Sequence, residues 1–277
     1  MSDYTIELNI ARKAAGNAAK VIRDFRASNS FSIDLKGKND LVTDADLEAE
    51  KQILSVINKE FPEDDIMAEE SSGGQELPEG RIWLIDPIDG TTNFAHGFPV
   101  YCVSIALWEN KEPKMGLVLE VASDEWFIAI KGQGAFLNGR PISVSSIENA
   151  HGSLIGTGFP YNDLSLMDNY LSFFRTLMHE THGVRRAGAA AYDLCCVASG
   201  RLDGFYEYSL NPWDVGAGAL IIEEAGGRIS DWQGGDNWLF GKRIIAGNSD
   251  IHSFLLDGIQ SQFTEKELIG NVVESRR

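Results

Sequence analysis

Apolar residues recur at steps of three or four through residues 4–26, at Leu8, Ala11, Ala15, Ala18, Ile22 and Phe25. That spacing predicts an amphipathic helix with a single apolar stripe. The polar stretch Lys36-Gly-Lys-Asn-Asp40 separates it from a second helix, expected from about Asp44 to Glu60 and stopped by Pro62. From Arg81 the pattern becomes short β-rich runs, residues 82–85, 100–108, 115–121 and 126–130, broken by Gly, Pro and Asn. Asn138-Gly139 is a two-residue hairpin signal. Beyond about residue 150, strands at 153–155, 205–208 and 244–246 alternate with helices at 164–179, 189–198 and 213–225. Gly226-Gly227 ends the last of these helices, Asp250 is expected to cap a final one, and the tail beyond Gln262 to fray. The pattern predicts a layered α/β protein, antiparallel-rich over about 1–148 and alternating over 149–277, with residues 1–277 as one domain.

Charge narrows the partners. Against 24 Lys and Arg stand 41 Asp and Glu, a formal charge of −17, which disfavours direct nucleic-acid binding and docking on an anionic membrane. Three Cys, two of them adjacent at 195 and 196, give no disulfide framework and point to a reducing cytoplasm. The acidic start lacks the basic and apolar regions of a signal peptide, and no run of about 18 apolar residues is long enough to span a membrane.

Several familiar motifs fail on spacing. His179 and His182 are one residue closer than a zinc-binding HExxH helix requires. Gly241-Lys242 is followed by Arg243 where a P-loop needs Ser or Thr. Gly216-Ala-Gly218 sits inside an expected helix and lacks the third Gly of a dinucleotide fingerprint. No G-x-S-x-G elbow exists, and the cysteines have core-like surroundings.

What survives is a set of carboxylates. Asp86-Pro-Ile-Asp89-Gly-Thr-Thr-Asn93 directly follows an apolar strand, and Pro87 and Gly90 bend the chain so that both acids can converge with the Ile88 carbonyl. Thr91, Thr92 and Asn93 offer hydroxyls and amides at a helix start, which suits an anion. Hard divalent cations take such oxygen ligands, and metal neutralises paired buried acids economically. Glu69-Glu70, Asp214 in Trp213-Asp-Val-Gly-Ala217, and the pair Asp44/Asp46 complete the clusters, although Asp44 and Asp214 could equally be helix caps.

Asp46, Glu69-Glu70, Asp86-Pro-Ile-Asp-Gly-Thr-Thr92 and Trp213-Asp-Val-Gly-Ala217 occur in an order and form similar to the inositol monophosphatase family of magnesium-dependent, lithium-sensitive phosphatases. The resemblance covers residues 4 to about 260, and Thr157-Gly-Phe-Pro160 with residues 185–190 looks most like bacterial members. It implies an αβαβα sandwich, a homodimer, and hydrolysis of myo-inositol monophosphate or a similar polyol or sugar phosphate. Two or three Mg²⁺ would bind per site: the first at Glu69, Asp86 and the Ile88 carbonyl, the second at Asp86, Asp89 and Asp214, a looser third at Glu69. Thr91 and Asp46 would orient and deprotonate the attacking water. Backbone amides of Gly90 and Thr91 would hold phosphate, while Glu207, Gly188 and Ala190 would contact the alcohol. Asp89 also borders the substrate in this scheme.

Ala189, where some relatives carry Thr or Ser, and residues 71–80, a loop of variable length, weaken strict inositol specificity. Histidinol phosphate and fructose 1,6-bisphosphate remain open as substrates. Some bacterial relatives are associated with transcription or RNA processing, which makes an added protein-binding role a second expectation. Apolar stretches at 94–101 and 154–161 could serve a dimer.

Overall fold

Trp83 and Ile85 face one helix pair while Ile82 and Leu84 face another, and this alternation along one strand organises the fold. The computed structural model describes residues 4–28, 31–37, 40–71, 74, 76–160 and 163–269. Parts of four expected features, residues 38 and 39 of the polar stretch, 72, 73 and 75 of the 71–80 loop, 161 of the apolar stretch 154–161, and 270–277 of the tail, lie outside the described residues.

Helices α1 (Thr5–Ser28) and α2 (Asp44–Glu60) flank the hairpin of β1 (Ile33–Gly37) and β2 (Asp40–Thr43). Among the described residues a seven-stranded sheet follows in chain order: β3 (Asp65–Ala68), β4 (Arg81–Asp89), β5 (Cys102–Glu109), β6 (Glu112–Glu120), β7 (Glu125–Ile130), β8 (Ala135–Leu137) and β9 (Arg140–Ile142). Only the β3–β4 pairing within it is parallel. A short helix, α3 (Thr91–His96), sits between β4 and β5.

The second half alternates as the sequence pattern predicts. It runs β10 (Leu154–Thr157), α4 (Met167–Glu180), β11 (Gly183–Arg185), α5 (Ala190–Ala198), β12 (Gly204–Tyr208), α6 (Pro212–Glu224), β13 (Arg228–Ser230), β14 (Arg243–Gly247), α7 (Ser249–Gln262) and α8 (Glu265–Leu268). Its sheet has the order β11-β10-β12-β14-β13.

Three apolar clusters fix the stacking. The alanine-rich faces of α1 and α2 cover one side of the large sheet. Helices α5 and α6 fill the space between the two sheets. Helices α4 and α7, with Tyr170, Phe173 and Trp232, cover the far side of the small sheet. The layers are therefore α-β-α-β-α, and among the described residues no helix is long and apolar enough to cross a membrane.

Two expectations at the C-terminal end are corrected. Asn248, not Asp250, caps α7, because its side chain accepts the N–H groups of Asp250 and Ile251. Of the tail beyond Gln262, residues 263–269 are held, since Thr264 and Glu267 form a capping box on α8 and Asn169 and Arg243 bond Glu267, while residues 270–277 lie outside the described residues. Of the polar stretch after α1, Lys36 and Gly37 belong to β1 and Asp40 to β2.

Candidate active site

A bulge at the end of β4 brings Asp86 and Asp89 to one side. Pairing with β5 steps from Asp86–Ser104 to Asp89–Cys102, so β4 spends three residues against two. The Asp86 carboxylate turns back to accept the Ile88 N–H at 3.0 Å. Asp89 Oδ2 accepts the Ala191 N–H at 2.6 Å, which ties β4 to the start of α5 across 102 residues of chain. Gly90 then turns the chain into α3 with φ +96, and a Cβ there would stand 2.9 Å from Val100 O. Only glycine fits both conditions.

Glu69 reaches the site by a local device. Its N–H donates to Ile85 O at 3.1 Å, continuing the β3–β4 pairing by one residue and setting its carboxyl within hydrogen-bonding reach of Asp86.

Asp46 and Asp214 share a second device. Each is the third residue of its helix and closes a capping box. Asp46 Oδ2 accepts from Thr43 N at 2.8 Å and Thr43 Oγ1 at 2.6 Å, and Asp214 Oδ2 accepts from Asn211 N at 2.7 Å. One oxygen anchors the helix start and the other is left for the site. The helix caps are thus Thr43 and Asn211, and Asp44 points away to accept the Ser32 N–H.

Glu207 lies on β12, in the middle of the small sheet. A Cβ at Gly158 would overlap its carboxylate, which explains the glycine in Thr157-Gly-Phe-Pro160. Tyr170 supports that segment from behind by donating to Gly158 O at 3.0 Å.

Glu69, Asp86, Ile88, Asp89, Gly90, Thr91, Gly188, Ala190, Glu207 and Asp214 all line one cavity of about 170 Å³. Asp46 does not. It is fully buried behind Thr91, whose hydroxyl lies 2.8 Å from Asp46 Oδ1 and 3.0 Å from Ile88 O. Asn93 is also structural, since its amide donates to Val100 O, Ala187 O and Gly188 O and fixes the far wall instead of facing an anion.

Burial dominates the electrostatics. It raises Asp86 well above the usual carboxylate range, and the charges of Glu69, Asp89 and Asp214 add to the effect. Asp214 is raised by burial, then by Asp89 and Glu69. Asp89 is pushed up to about 6 by burial, against the opposing hydrogen bond from Ala191 N–H. Asp46 also rises to about 6 through burial, opposed by its hydrogen bonds from Thr43 and Thr91.

Such a set is unfavourable alone and suited to a cation. The donors are all oxygen, four carboxylates and one carbonyl, which fits a hard divalent ion such as Mg²⁺. Among the described residues no three or more His, Cys, Asp or Glu side chains already surround a common ion position.

The cavity also contains residues that the spacing arguments missed. Asp193, on the first turn of α5, and Arg186 both line it, as do Phe159, Tyr208 and Leu210. Asp193 left one sequence signal, an acid inside the otherwise apolar helix 190–198.

Residues 3–269 match the model of the inositol monophosphatase family. The chain belongs to that family. It is 43% identical over 258 residues to a Pseudomonas aeruginosa protein named Nus factor SuhB, covering 91% of this chain and 95% of that one. Among solved structures, the extragenic suppressor protein SuhB from Bartonella henselae superposes with a TM-score of 0.88 at 38% identity, covering 94% of this chain and all of that one. The inositol monophosphatase from Anabaena gives 0.81 at 35% identity, covering 96% and 99%. These inositol monophosphatase family structures bear out the layered fold expected from the sequence.

Proposed function

We propose that this chain is a Mg²⁺-dependent phosphomonoesterase that hydrolyses myo-inositol monophosphate, or a similar polyol or sugar phosphate, to alcohol and phosphate. One observation carries this reading: Glu69, Asp86, Asp89, Asp214 and Ile88 line the same small cavity as Thr91, whose hydroxyl meets the buried Asp46.

Glu69, Asp86 and the Ile88 carbonyl would hold one Mg²⁺, Asp86, Asp89 and Asp214 a second, and Glu69 a looser third. Bound there, Mg²⁺ offsets the acids, polarises the phosphoryl oxygens and stabilises the departing alkoxide. Thr91 orients the attacking water and Asp46 takes its proton through the Thr91 contact. Amides of Gly90 and Thr91 hold the phosphate, and Gly188, Ala190 and Glu207 receive the alcohol. Attack is direct and in line, and no side chain forms a covalent intermediate.

Because the cavity draws on β4 and on α5, β12 and α6, we read residues 1–277 as one functional unit, cytoplasmic and homodimeric, with inhibition by millimolar Li⁺. Histidinol phosphate and fructose 1,6-bisphosphate fit the same chemistry. A substrate panel at fixed Mg²⁺ tests the reading, and release of phosphate from none of these esters would sink it.

The names of relatives such as the Pseudomonas Nus factor favour an added protein-binding role. Asp89→Asn separates the two roles: catalysis collapses while partner binding persists.

A further inference from the structure

Asp193 is 2% exposed and Glu207 7%, and both line the cavity. Neither side chain has a hydrogen-bond partner among the described residues. They share one small cavity, and of the charges acting on Glu207 that of Asp193 weighs most. The cation acting on both is Arg186, whose guanidinium would stand 3.0 Å from a Cβ at Gly188. One positive charge therefore faces two buried acids with no donor supplied to either.

A buried polar group without a partner is costly, and a buried charge more so. Hydroxyls of a neutral polyol supply donors but no charge. An ammonium supplies three donors and the missing positive charge together. We propose that Asp193 and Glu207 form an ammonium-selecting subsite, so that among polyol and sugar phosphates the pocket favours esters of amino alcohols and amino sugars. This rests on the phosphatase reading and narrows its substrate class. Asp193 is then a specificity-determining residue, supplied by α5 one turn after Ala190.

The test compares serinol phosphate with glycerol 3-phosphate, two esters that differ in an ammonium for a hydroxyl. Both are assayed with the full chain and Mg²⁺, and their binding is titrated with Ca²⁺ in place of Mg²⁺. The amino ester should show a kcat/KM and an affinity at least about tenfold higher, the size of one charge-assisted hydrogen bond. Asp193→Asn should bring both ratios close to one, with the urea midpoint reporting that the variant is folded. Should it not fold, the wild-type ratios decide alone. Equal or lower values for the amino ester overturn the subsite and leave the phosphatase reading standing. No Mg²⁺-dependent release from these esters or from inositol 1-phosphate overturns both.

Discussion

The Thr91 hydroxyl stands 2.8 Å from Asp46 Oδ1, and the other oxygen of Asp46 is occupied by the N–H and hydroxyl of Thr43. The carboxylate is thereby held in one orientation and reaches the cavity only through threonine. If this pair takes the proton of the attacking water, Asp46→Asn and Thr91→Val should each lower kcat by about 10²–10⁴ with a smaller change in KM. Thr91→Ser, which keeps the hydroxyl, should retain most activity. Steady-state kinetics on the three variants check this, and equal losses in Thr91→Ser and Thr91→Val would contradict it.

Asp86 occupies the centre of the acid set, within reach of Glu69 and Asp214. Its neutralisation should act in opposite directions on stability and activity. Without Mg²⁺, Asp86→Asn should be more stable than the wild type by about 1 kcal/mol or more, since a buried like charge is removed. The rise in Tm expected for the wild type on adding Mg²⁺ should be absent in the variant. Activity should fall further than in Glu69→Gln, because in the proposed site Asp86 would serve two ions and Glu69 would share its ions with other ligands. Equal residual activities in the two variants would count against the bridging role.

Much of this was legible in the sequence, and the exceptions have physical causes. Helix α2 begins and ends as expected because Thr43, Asp46 and Pro62 are local signals. The Asn138-Gly139 turn is found with both residues at positive φ, since a two-residue hairpin leaves few alternatives. Strands β3, β11 and β13 escaped notice because three or four residues carry no periodicity, and their pairing partners lie elsewhere in the chain. The acids of β4 and α6 could be recognised as motifs. That Glu69 reaches Asp86 through an Ile85 carbonyl, or that Gly158 makes room for Glu207, depends on contacts between distant segments.

That Gly158–Glu207 contact can be tested. Since any Cβ would overlap the carboxylate, Gly158→Ala should displace Glu207 from the cavity. The expected result is at least a tenfold fall in kcat/KM for polyol phosphates and a smaller fall for phenyl phosphate, whose leaving group has no hydroxyls to hold. A uniform fall for both would show that the glycine serves the fold alone.

A histidine outside the cavity sets an acid limit. His252 is 1% exposed, lies 2.9 Å from Ser230 Oγ through Nε2, and among the described residues has no partner for Nδ1. Burial pushes its pKa down from 6.5 to about 4, and the charge of Arg228 acts in the same direction. The folded pKa is lower than the unfolded one, so the unfolded chain binds the proton first. Its contribution is complete above about pH 6.5 and is lost as pH falls toward 4. The raised carboxyls of the cavity act with the opposite sign, so the variant isolates the effect. His252→Gln should reduce the loss in urea midpoint between pH 7 and pH 5, and an unchanged profile would refute this.

On the proposed reading, this acid-lined cavity releases phosphate only when Mg²⁺ is bound. The most direct measurement is phosphate release from inositol 1-phosphate as Mg²⁺ is added, for the wild type and Asp89→Asn side by side. Saturable, Mg²⁺-dependent release by the wild type, lost in the variant, is the predicted result. Release that is independent of Mg²⁺, or that survives in Asp89→Asn, would contradict it.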